Sequence, residues 1–322
     1  MGKIKILFSY LTAFLLILTL CFILPKMMAG DPLMALYGDE ALVVMTPQLQ
    51  AELIERFALN ETLFEQFVAF WGALAHGDLG ESYAYNAPVA EVIVKALPWT
   101  LLLVGSAFII SAIFGIMLGI ESGSRRGGRL DRSLLTGLML LNGFPDFVMG
   151  ILLLLLFGVL LAIFPLAGAV TPYSGETGLP LVLDILHHLA LPLATFILVR
   201  IPGIYLLTRN SMVMQMEEPY IMTARAKGCS ERIVRYHHSA RNSLLPVLTL
   251  IGTQMASIIT GAIFVERVFS YPGLGNLLYE SILNRDYPMI QGILLMMTLM
   301  VLTINLLVDL LYTRFDPRVA HA

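Results

Sequence analysis

Long apolar runs recur along this chain of 322 residues, and charged segments separate each run from the next. A helix needs about 20 residues to cross a hydrocarbon core about 30 Å thick, and the runs reach or approach that length. The pattern therefore predicts an all-α membrane protein with six transmembrane helices. The predicted spans are Ile6–Met28, Pro98–Ile120, Leu134–Phe164, Leu189–Leu207, Leu244–Phe264 and Met289–Tyr312.

The composition agrees with a lipid environment. Hydrophobic residues make up 57% of the chain and charged residues 13%, whereas a soluble domain carries about 25% charged residues. The net charge is −3, and the basic residues do not form a block interleaved with aromatic residues, so we expect no nucleic-acid partner. Cys21 and Cys229 fall in a predicted span and a predicted loop, and we expect no disulfide between them.

The distribution of lysine and arginine indicates the orientation, because cytoplasmic loops retain positive charge. With the N-terminus inside, the basic residues at positions 125–132 and 209–241 fall on the cytoplasmic side. Few basic residues fall on the other side. We therefore expect a multi-pass protein with both termini in the cytoplasm.

Residues 29–97 form the one large external segment between the first two spans, and the pattern predicts that it is folded. Thr46 and Pro47 are typical of an N-cap and a first helical residue, which predicts a helix over Gln48–Ala58. Asn60 is expected to cap a second helix over Glu61–Ala75. The segment is either a solvated cap or a docking surface for an extracytoplasmic partner.

Two features interrupt the predicted spans. The second span is expected to carry Pro98 in its first turn, where the missing N–H costs nothing. In the third, Gly143 and Pro145 predict a kink within a single bent span.

Asp146 and Arg200 are the charges predicted deepest in the membrane. Such residues are rare and usually face a bundle interior or a water-filled path. One interpretation is a structural ion pair, or an Arg200 that extends to the interface. The other is a translocation path, in which Arg200 offers a cation to a substrate carboxylate and Asp146 tunes or gates it.

A short, well-capped helix is predicted in the loop between spans four and five, from Pro219 to Lys227. Glu217 and Glu218 lie at the positive end of the helix dipole, and Gly228 can adopt the left-handed conformation that ends a helix. Ser230 is expected to cap a second helix that leads toward span five. A loop that only fixes membrane topology needs charge alone, so the caps favour a rigid helix-turn-helix with a further role.

Other chemistry is not indicated. The chain contains no Gly-x-x-x-x-Gly-Lys-Ser/Thr loop for a nucleotide. The pairs His187-His188 and His237-His238 lack a carboxylate or thiol to complete a metal site. The sequence therefore predicts neither a metal nor ATP chemistry in this chain.

The helix-turn-helix resembles a known motif. Thr223–Gly228 followed by Arg241–Pro246 is similar to the EAA coupling loop of permease subunits in the dipeptide, oligopeptide and nickel class of ABC importers. Of the older signature Glu-Ala-Ala-x-x-x-Gly, Ala224 and Gly228 match, and Met222 and Thr223 occupy the first two positions. Further segments similar to this family are His76–Gly80, Phe269–Gly275, Asn284–Pro288, Asn305–Asp309 and Asp316–Arg318.

The resemblance implies the type I ABC importer permease fold in the bacterial inner membrane. It implies a first span within 1–28, an extracytoplasmic loop at 29–97 and a core permease domain at 98–322 with a cytoplasmic coupling loop at 209–243. It also implies a heterodimer with a sister permease, two cytoplasmic ATPase subunits that bind ATP and Mg²⁺, and an extracytoplasmic binding protein. The residues implied to contact an ATPase are Pro219, Tyr220, Ile221, Thr223, Ala224, Arg225, Ala226, Lys227 and Gly228.

The implied function is import of di- or oligopeptides, with nickel or a metal-chelating small molecule as the alternative cargo. A secondary transporter or channel is a rival class, but it usually shows an internal repeat and its own ion-coupling residues, and we find neither. An intramembrane enzyme needs a catalytic motif that the sequence lacks, and a structural anchor leaves six spans and the capped loop unexplained.

Overall fold

The computed structural model describes residues 2–27, 33, 45–56 and 60–315, and this part of the chain is helical, with one isolated β-bridge between Glu81 and Pro88. Met28, the end of the predicted helix Gln48–Ala58 and the motif Asp316–Arg318 lie outside the described residues. The helices are α1 Gly2–Lys26, α2 Pro47–Arg56, α3 Leu63–Ala75, α4 Val89–Ser124, α5 Arg129–Leu141, α6 Asp146–Leu153, α7 Leu179–Met216, α8 Pro219–Ala226, α9 Glu231–Ile233, α10 Ala240–Val268, α11 Leu274–Leu283 and α12 Tyr287–Phe315. The segments Leu154–Leu160 and Val234–Ser239 are π-helical and continue α6 and α9.

The chain divides into two compact units. The first comprises residues 1–98 and 272–302, and the second comprises residues 99–271 and 303–322. The outer helices α2 and α3 belong to the first unit. The second unit contains the predicted coupling loop and both charges of the predicted membrane pair.

Among the residues that the structure describes, three helices are long and apolar enough to cross a membrane, within α4, α7 and the stretch Tyr287–Leu306 of α12, and the bent pair Arg129–Leu141 and Asp146–Leu160 makes a fourth if it is one span. The predicted first and fifth spans lie in α1 and α10, which have 25 and 29 residues. Helix α7 has 38 residues, which at about 1.5 Å per residue give about 57 Å. That length exceeds the thickness of the hydrocarbon core, about 30 Å, so α7 is longer than a span requires. The number of six spans stays a prediction.

The predicted start of the second span was wrong. Helix α4 begins at Val89, so Pro98 lies inside the helix and not in its first turn. The proline at the helix start is Pro88, whose carbonyl accepts from the N–H of Val92 at 3.3 Å. The φ angle of a proline is fixed at a value that suits the start of a helix. The helix continues through Pro98 into the apolar stretch that follows it.

The break in the third predicted span is confirmed. Helix α5 ends at Leu141, α6 begins at Asp146 with Pro145 as its N-cap, and the helix axes on either side differ by 98°. A proline cannot donate to the preceding turn, so the helix restarts after it. Whether the two arms form one bent span stays a prediction.

The second outer helix begins later than predicted. Helix α3 is capped by Thr62 and not by Asn60: the Thr62 Oγ1 accepts from the Glu65 N–H at 3.3 Å, and Glu65 accepts from the Thr62 N–H at 2.8 Å. These reciprocal bonds form a capping box. They hold the pKa of Glu65 below its usual value, chiefly through the backbone bond from Thr62. In the first outer helix, Thr46 caps as predicted, since its Oγ1 accepts from the Leu49 N–H at 3.3 Å.

A stripe of glycines brings α4 against α7 in the second unit. Gly115, Gly119 and Gly123 recur at intervals of four, so they share one face of α4. A Cβ atom built on Gly119 would lie 2.5 Å from the Thr208 Cβ, and one on Gly115 would lie 2.8 Å from the Ile204 Cβ. The helices are therefore packed at backbone distance, which is how small residues join membrane helices.

We expect Gly119→Ala to destabilise the protein, although alanine is the better helix former by about 1 kcal/mol. The added methyl has no room beside Thr208, and overpacking costs about 1–3 kcal/mol. The measurement is the thermal midpoint of the purified protein in detergent. Gly105→Ala on the same helix is the control, because a Cβ there meets nothing within 4 Å, and it should leave the midpoint unchanged or raise it. Equal midpoints for the two variants would contradict the close packing.

Candidate functional site

The short helix predicted between spans four and five is α8, Pro219–Ala226, and its ends are built as expected. Pro219 is the first helical residue and Lys227 is the C-cap. Gly228 has φ +80°, its N–H donates to the Arg225 carbonyl at 2.9 Å, and the Cys229 N–H donates to the Ala224 carbonyl at 3.2 Å. This pair of bonds is a Schellman motif, which requires the left-handed glycine.

The second helix of the loop starts immediately. Ser230 is the N-cap of α9, and its Oγ accepts from the Ile233 N–H at 3.5 Å. Arg225 bridges the turn to Glu231 with Nε–Oε1 and NH2–Oε2 distances of 2.9 and 3.2 Å. The turn is therefore fixed by a cap on each side and by a bidentate ion pair, as a rigid helix-turn-helix requires.

One face of α8 packs inside the chain. Ile221 and Ala224 are buried and form a cluster with Val234 of the next helical segment, with Tyr220 and Cys229 packed against it. Ala224, which the resemblance implies as an ATPase contact, is thus covered by Val234 and its neighbours in this chain, and its contact with an ATPase stays a prediction. Ile221 and Ala224 brace α8 against the following helix.

Tyr220 adds polar support to this brace. Its hydroxyl donates to the Gln215 Oε1 at 2.6 Å and accepts from the Asn242 Nδ2 at 3.1 Å. These contacts connect α8 with the end of α7 and the start of α10. Tyr220 thus links the short helix to both long helices that flank the loop.

The opposite face of α8 is exposed. Met222 is 68% exposed, and it was not among the residues implied to contact an ATPase. It occupies the position where the older signature has glutamate. A spacing of four places Met222 and Ala226 on the same side of the helix. The exposed residues of the predicted set are Pro219, Thr223, Arg225, Ala226, Lys227 and Gly228.

Ion pairs join the loop to the end of α4. Arg235 NH1 lies 2.9 and 3.0 Å from the two carboxylate oxygens of Glu121, and the Tyr236 hydroxyl donates to the same carboxylate. This hydrogen bond raises the pKa of Tyr236, with burial adding to the shift, so the phenol stays neutral as a donor. Arg126 pairs with Glu217 at 2.9 Å, just before α8.

A buried carboxylate fixes the turn between α4 and α5. Asp131 accepts from the Nε and NH2 of Arg209 at 2.6 and 2.8 Å, from the Ser122 hydroxyl at 2.6 Å and from the Gly127 N–H at 2.8 Å. Ser122 also lies 2.7 Å from the Tyr205 hydroxyl. The cluster holds α4, α5 and α7 together close to the loop, and sequence reasoning did not find it.

Asp146 and Arg200 are brought together, with 2.5 Å between Oδ2 and NH2. Arg200 NH1 also donates to the Ser257 Oγ at 3.3 Å. A Cβ built on Gly261 would lie 2.3 Å from Asp146 Oδ2, so glycine is needed where α10 passes the pair. The Arg200 Nε is buried and has no hydrogen-bond partner among the described residues.

Within the described part of the chain, no group of three or more His, Cys, Asp and Glu side chains is placed to hold a metal ion. The ring of His187 contacts the Ile163 carbonyl at 2.9 Å, and that of His188 contacts the Asp184 carbonyl at 3.0 Å. Both histidines of this pair are thus engaged with backbone of the chain.

The loop is thus a helix-turn-helix between two long apolar helices, with one face of α8 packed inside the chain and the other exposed. Residues 111–321 match the family described as the binding-protein-dependent transport system inner membrane component. The chain belongs to this family. The match includes the capped loop and both members of the membrane ion pair.

Relatives of this permease match it over nearly its whole length. It is 34% identical over 317 residues to the di/tripeptide transport system permease protein DppB of Pseudomonas aeruginosa (strain UCBPP-PA14), covering 94% of this chain and 93% of the relative. It is also 34% identical over 327 residues to the dipeptide transport system permease protein DppB of Escherichia coli (strain K12), covering 96% and 95%. The family prediction is confirmed.

A solved structure supports the fold. The permease superimposes on a chain of the MetNI methionine ABC transporter, in inward-facing conformations, with a TM-score of 0.54 at 13% identity, covering 70% of this chain and 97% of that one. Likeness at this identity concerns the fold alone. The predicted all-α fold of a type I ABC importer permease is confirmed.

Proposed function

We propose that this permease forms, with a sister permease, the membrane path of an ATP-driven importer for di- or oligopeptides. Family membership and the names of the DppB relatives support the substrate class. The observation that carries the proposal is α8, a helix capped at both ends, braced on one face and exposed on the other. In this proposal two cytoplasmic ATPase subunits bind ATP and Mg²⁺, and an extracytoplasmic binding protein delivers the peptide.

The exposed face of α8 is proposed to sit in a cleft of one ATPase. Closure of the ATPases on ATP displaces α8, and the Val234 contact and the Tyr220 hydrogen bonds carry that displacement into α10 and α7. The Glu121 and Glu217 ion pairs carry it to the end of α4. The importer then alternates between an outward-facing and an inward-facing state. A ligand that binds one of these states more tightly increases the population of that state. The termini and the loop at 209–243 face the cytoplasm.

The test is reconstitution of the permease with its sister, the ATPases and the binding protein in proteoliposomes. We expect uptake of labelled dipeptide that requires both ATP and the binding protein. Uptake by the permeases without ATPase subunits would contradict the proposal and favour a secondary transporter. A complex that hydrolyses ATP with its binding protein but takes up no di- or oligopeptide would overturn the substrate class alone.

The pair Asp146–Arg200 is proposed to lie on the translocation path, where Arg200 offers its guanidinium to the substrate carboxylate. Its buried Nε is a spare donor, and Asp146 then acts as the resident carboxylate that the substrate replaces. A hydrogen bond to a charged group contributes about 1.5–3 kcal/mol, which corresponds to about a tenfold or larger change in affinity.

We expect Arg200→Gln to lower uptake of peptides with a free C-terminal carboxylate by about tenfold. Peptides with an amidated C-terminus should be affected much less, because they never offered the carboxylate. The measurement is the ratio of kcat/KM for the two peptide types in proteoliposomes. Arg200→Lys, which keeps a cation, is the matched control and should retain most of the discrimination. If the variant instead lowered uptake of both peptide types to the same extent, the ion pair would be purely structural.

A further inference from the structure

Helix α3, Leu63–Ala75, is unusually apolar for an external helix. Of its 13 residues, Glu65, Gln66 and Gly72 are the ones that are not apolar. Both polar side chains are engaged: Glu65 in the capping box with Thr62, and Gln66 with the Lys26 ammonium and the Glu61 carbonyl. The remainder of the helix surface therefore offers water almost no polar group.

The helix is nevertheless not part of a core. None of its residues is buried, and Leu63, Phe64 and Val68 are 64%, 74% and 55% exposed. At 13 residues it extends about 20 Å, which is too short to cross a membrane. Apolar helices of this length are typically buried in a core or lie in a membrane interface, and within this chain α3 has no buried residue.

Helix α2 shows what a water-facing helix in the same segment looks like. Its sequence is largely polar, and its apolar Leu53 is buried in a cluster with Tyr83 and Tyr287. The exposed face of α2 includes an isolated Leu49, which is 43% exposed. The two outer helices thus differ in kind, and only α3 leaves an apolar face open.

The attachment of α3 places it at the end of the first predicted span. Phe67 and Phe70 contact Phe22 of α1 with ring centroids 5.2 and 5.5 Å apart, and the Lys26 ammonium, at the last residue of α1, bonds to Gln66. A lysine at the end of a span extends its charge to the membrane surface. The contacts therefore fix α3 at the level where hydrocarbon gives way to headgroups.

The lipid-facing surface of α1 runs up to this attachment. Leu16, Leu20 and Leu24 recur at intervals of four and are 63%, 51% and 55% exposed, and Met27 after them is 76% exposed. The attachment of α3 at Phe22 therefore lies beside an exposed apolar stripe of α1.

We propose that α3 is an interfacial helix whose open face, Leu63, Phe64 and Val68, lies in the outer leaflet of the lipid bilayer. Interfacial helices lie in the plane of the membrane, with apolar side chains buried at the boundary of headgroups and acyl chains. In this position the helix limits sideways movement of the outer end of the first span, to which Phe22 and Lys26 join it. This inference is independent of the substrate, and it assigns the face to lipid, not to water, the binding protein or the sister permease.

The test places a fluorescent probe on this face in the complete importer. In a Cys21→Ala, Cys229→Ser background, Val68→Cys is labelled with an environment-sensitive dye and the complex is placed in phosphatidylcholine nanodiscs. Lipids carrying a nitroxide at acyl carbon 5 report contact with the bilayer, and aqueous iodide reports contact with water. Leu49→Cys on α2 is the matched control, and Phe64→Cys repeats the measurement at a second site on α3.

We expect nitroxide lipids to quench the probes at 68 and 64 severalfold more than the probe at 49, and iodide to show the reverse order. Iodide quenching at 68 equal to that at 49 would overturn the proposal in favour of a solvated cap. Protection of 68 from both quenchers would also overturn it, since the face would then be covered by protein. Neither result bears on peptide uptake, which is measured separately.

Discussion

Asp131→Asn is expected to lower the free energy of unfolding of the permease by about 3–5 kcal/mol, the cost of breaking a buried ion pair from one side. The side chain of Asp131 is 3% exposed and that of Arg209 is 15% exposed. Asparagine has the shape of aspartate, so the substitution opens no cavity. It removes the charge that compensates the Arg209 guanidinium, and it replaces one of the two oxygens that accept from Arg209, Ser122 and Gly127 by an NH2 group that cannot accept.

The measurement is unfolding of the purified permease in detergent, followed by helical signal during titration with a denaturing detergent. The double variant Asp131→Asn, Arg209→Gln is the matched control, because it removes both charges and leaves none uncompensated. It should recover a large part of the lost stability. The ion-pair explanation would be contradicted if the free energy of unfolding lost in the double variant equalled the sum of the losses in the two single variants.

The local signals of the sequence predicted the coupling loop well. Pro219 as the first helical residue, Gly228 after the helix and Ser230 at the next N-cap are signals that act within a few residues. Each is found where predicted. The same local rule failed at Asn60, where a capping box over Thr62-x-x-Glu65 was present in the sequence and is the stronger signature. Pro88 likewise marks the start of α4 better than Pro98 does.

Contacts between distant residues were not accessible in this way. Asp131 and Arg209 are 78 residues apart, and nothing in either segment identifies the other as its partner. The glycine stripe of α4 was visible as Gly115-x-x-x-Gly119-x-x-x-Gly123, a pattern typical of close helix packing, but the sequence does not name α7 as the helix that it contacts.

The two faces of α8 illustrate the same limit. Ile221 and Ala224 belong to the set that the resemblance implies to contact an ATPase, and in this chain they are buried against Val234. The motif alone therefore did not separate the side chains that brace α8 within the chain from those that stay exposed, such as Met222.

Met222→Lys is expected to lower ATP-driven peptide uptake strongly while leaving the permease folded. Met222 is 68% exposed in the permease, so an ammonium group there costs the isolated chain little. In the proposed ATPase cleft the same ammonium group loses its water, and it has the opposite charge to the glutamate of the older signature. A change at the centre of an interface costs about 2 kcal/mol or more, which corresponds to about 30-fold weaker association and so to less assembled importer.

Two measurements distinguish this effect from misfolding: the amount of ATPase subunit that co-purifies with the permease, and the thermal midpoint of the permease alone. Met222→Lys should reduce the first severalfold and leave the second unchanged, and Met222→Leu should preserve both, since it keeps an apolar side chain of similar size. Substitution on the inner face gives the opposite result, because Ala224→Leu has no room beside Val234 and lowers the midpoint itself. If Met222→Lys bound the ATPase normally and transported peptide, the outer face of α8 would not be the surface that receives the motion of the ATPase.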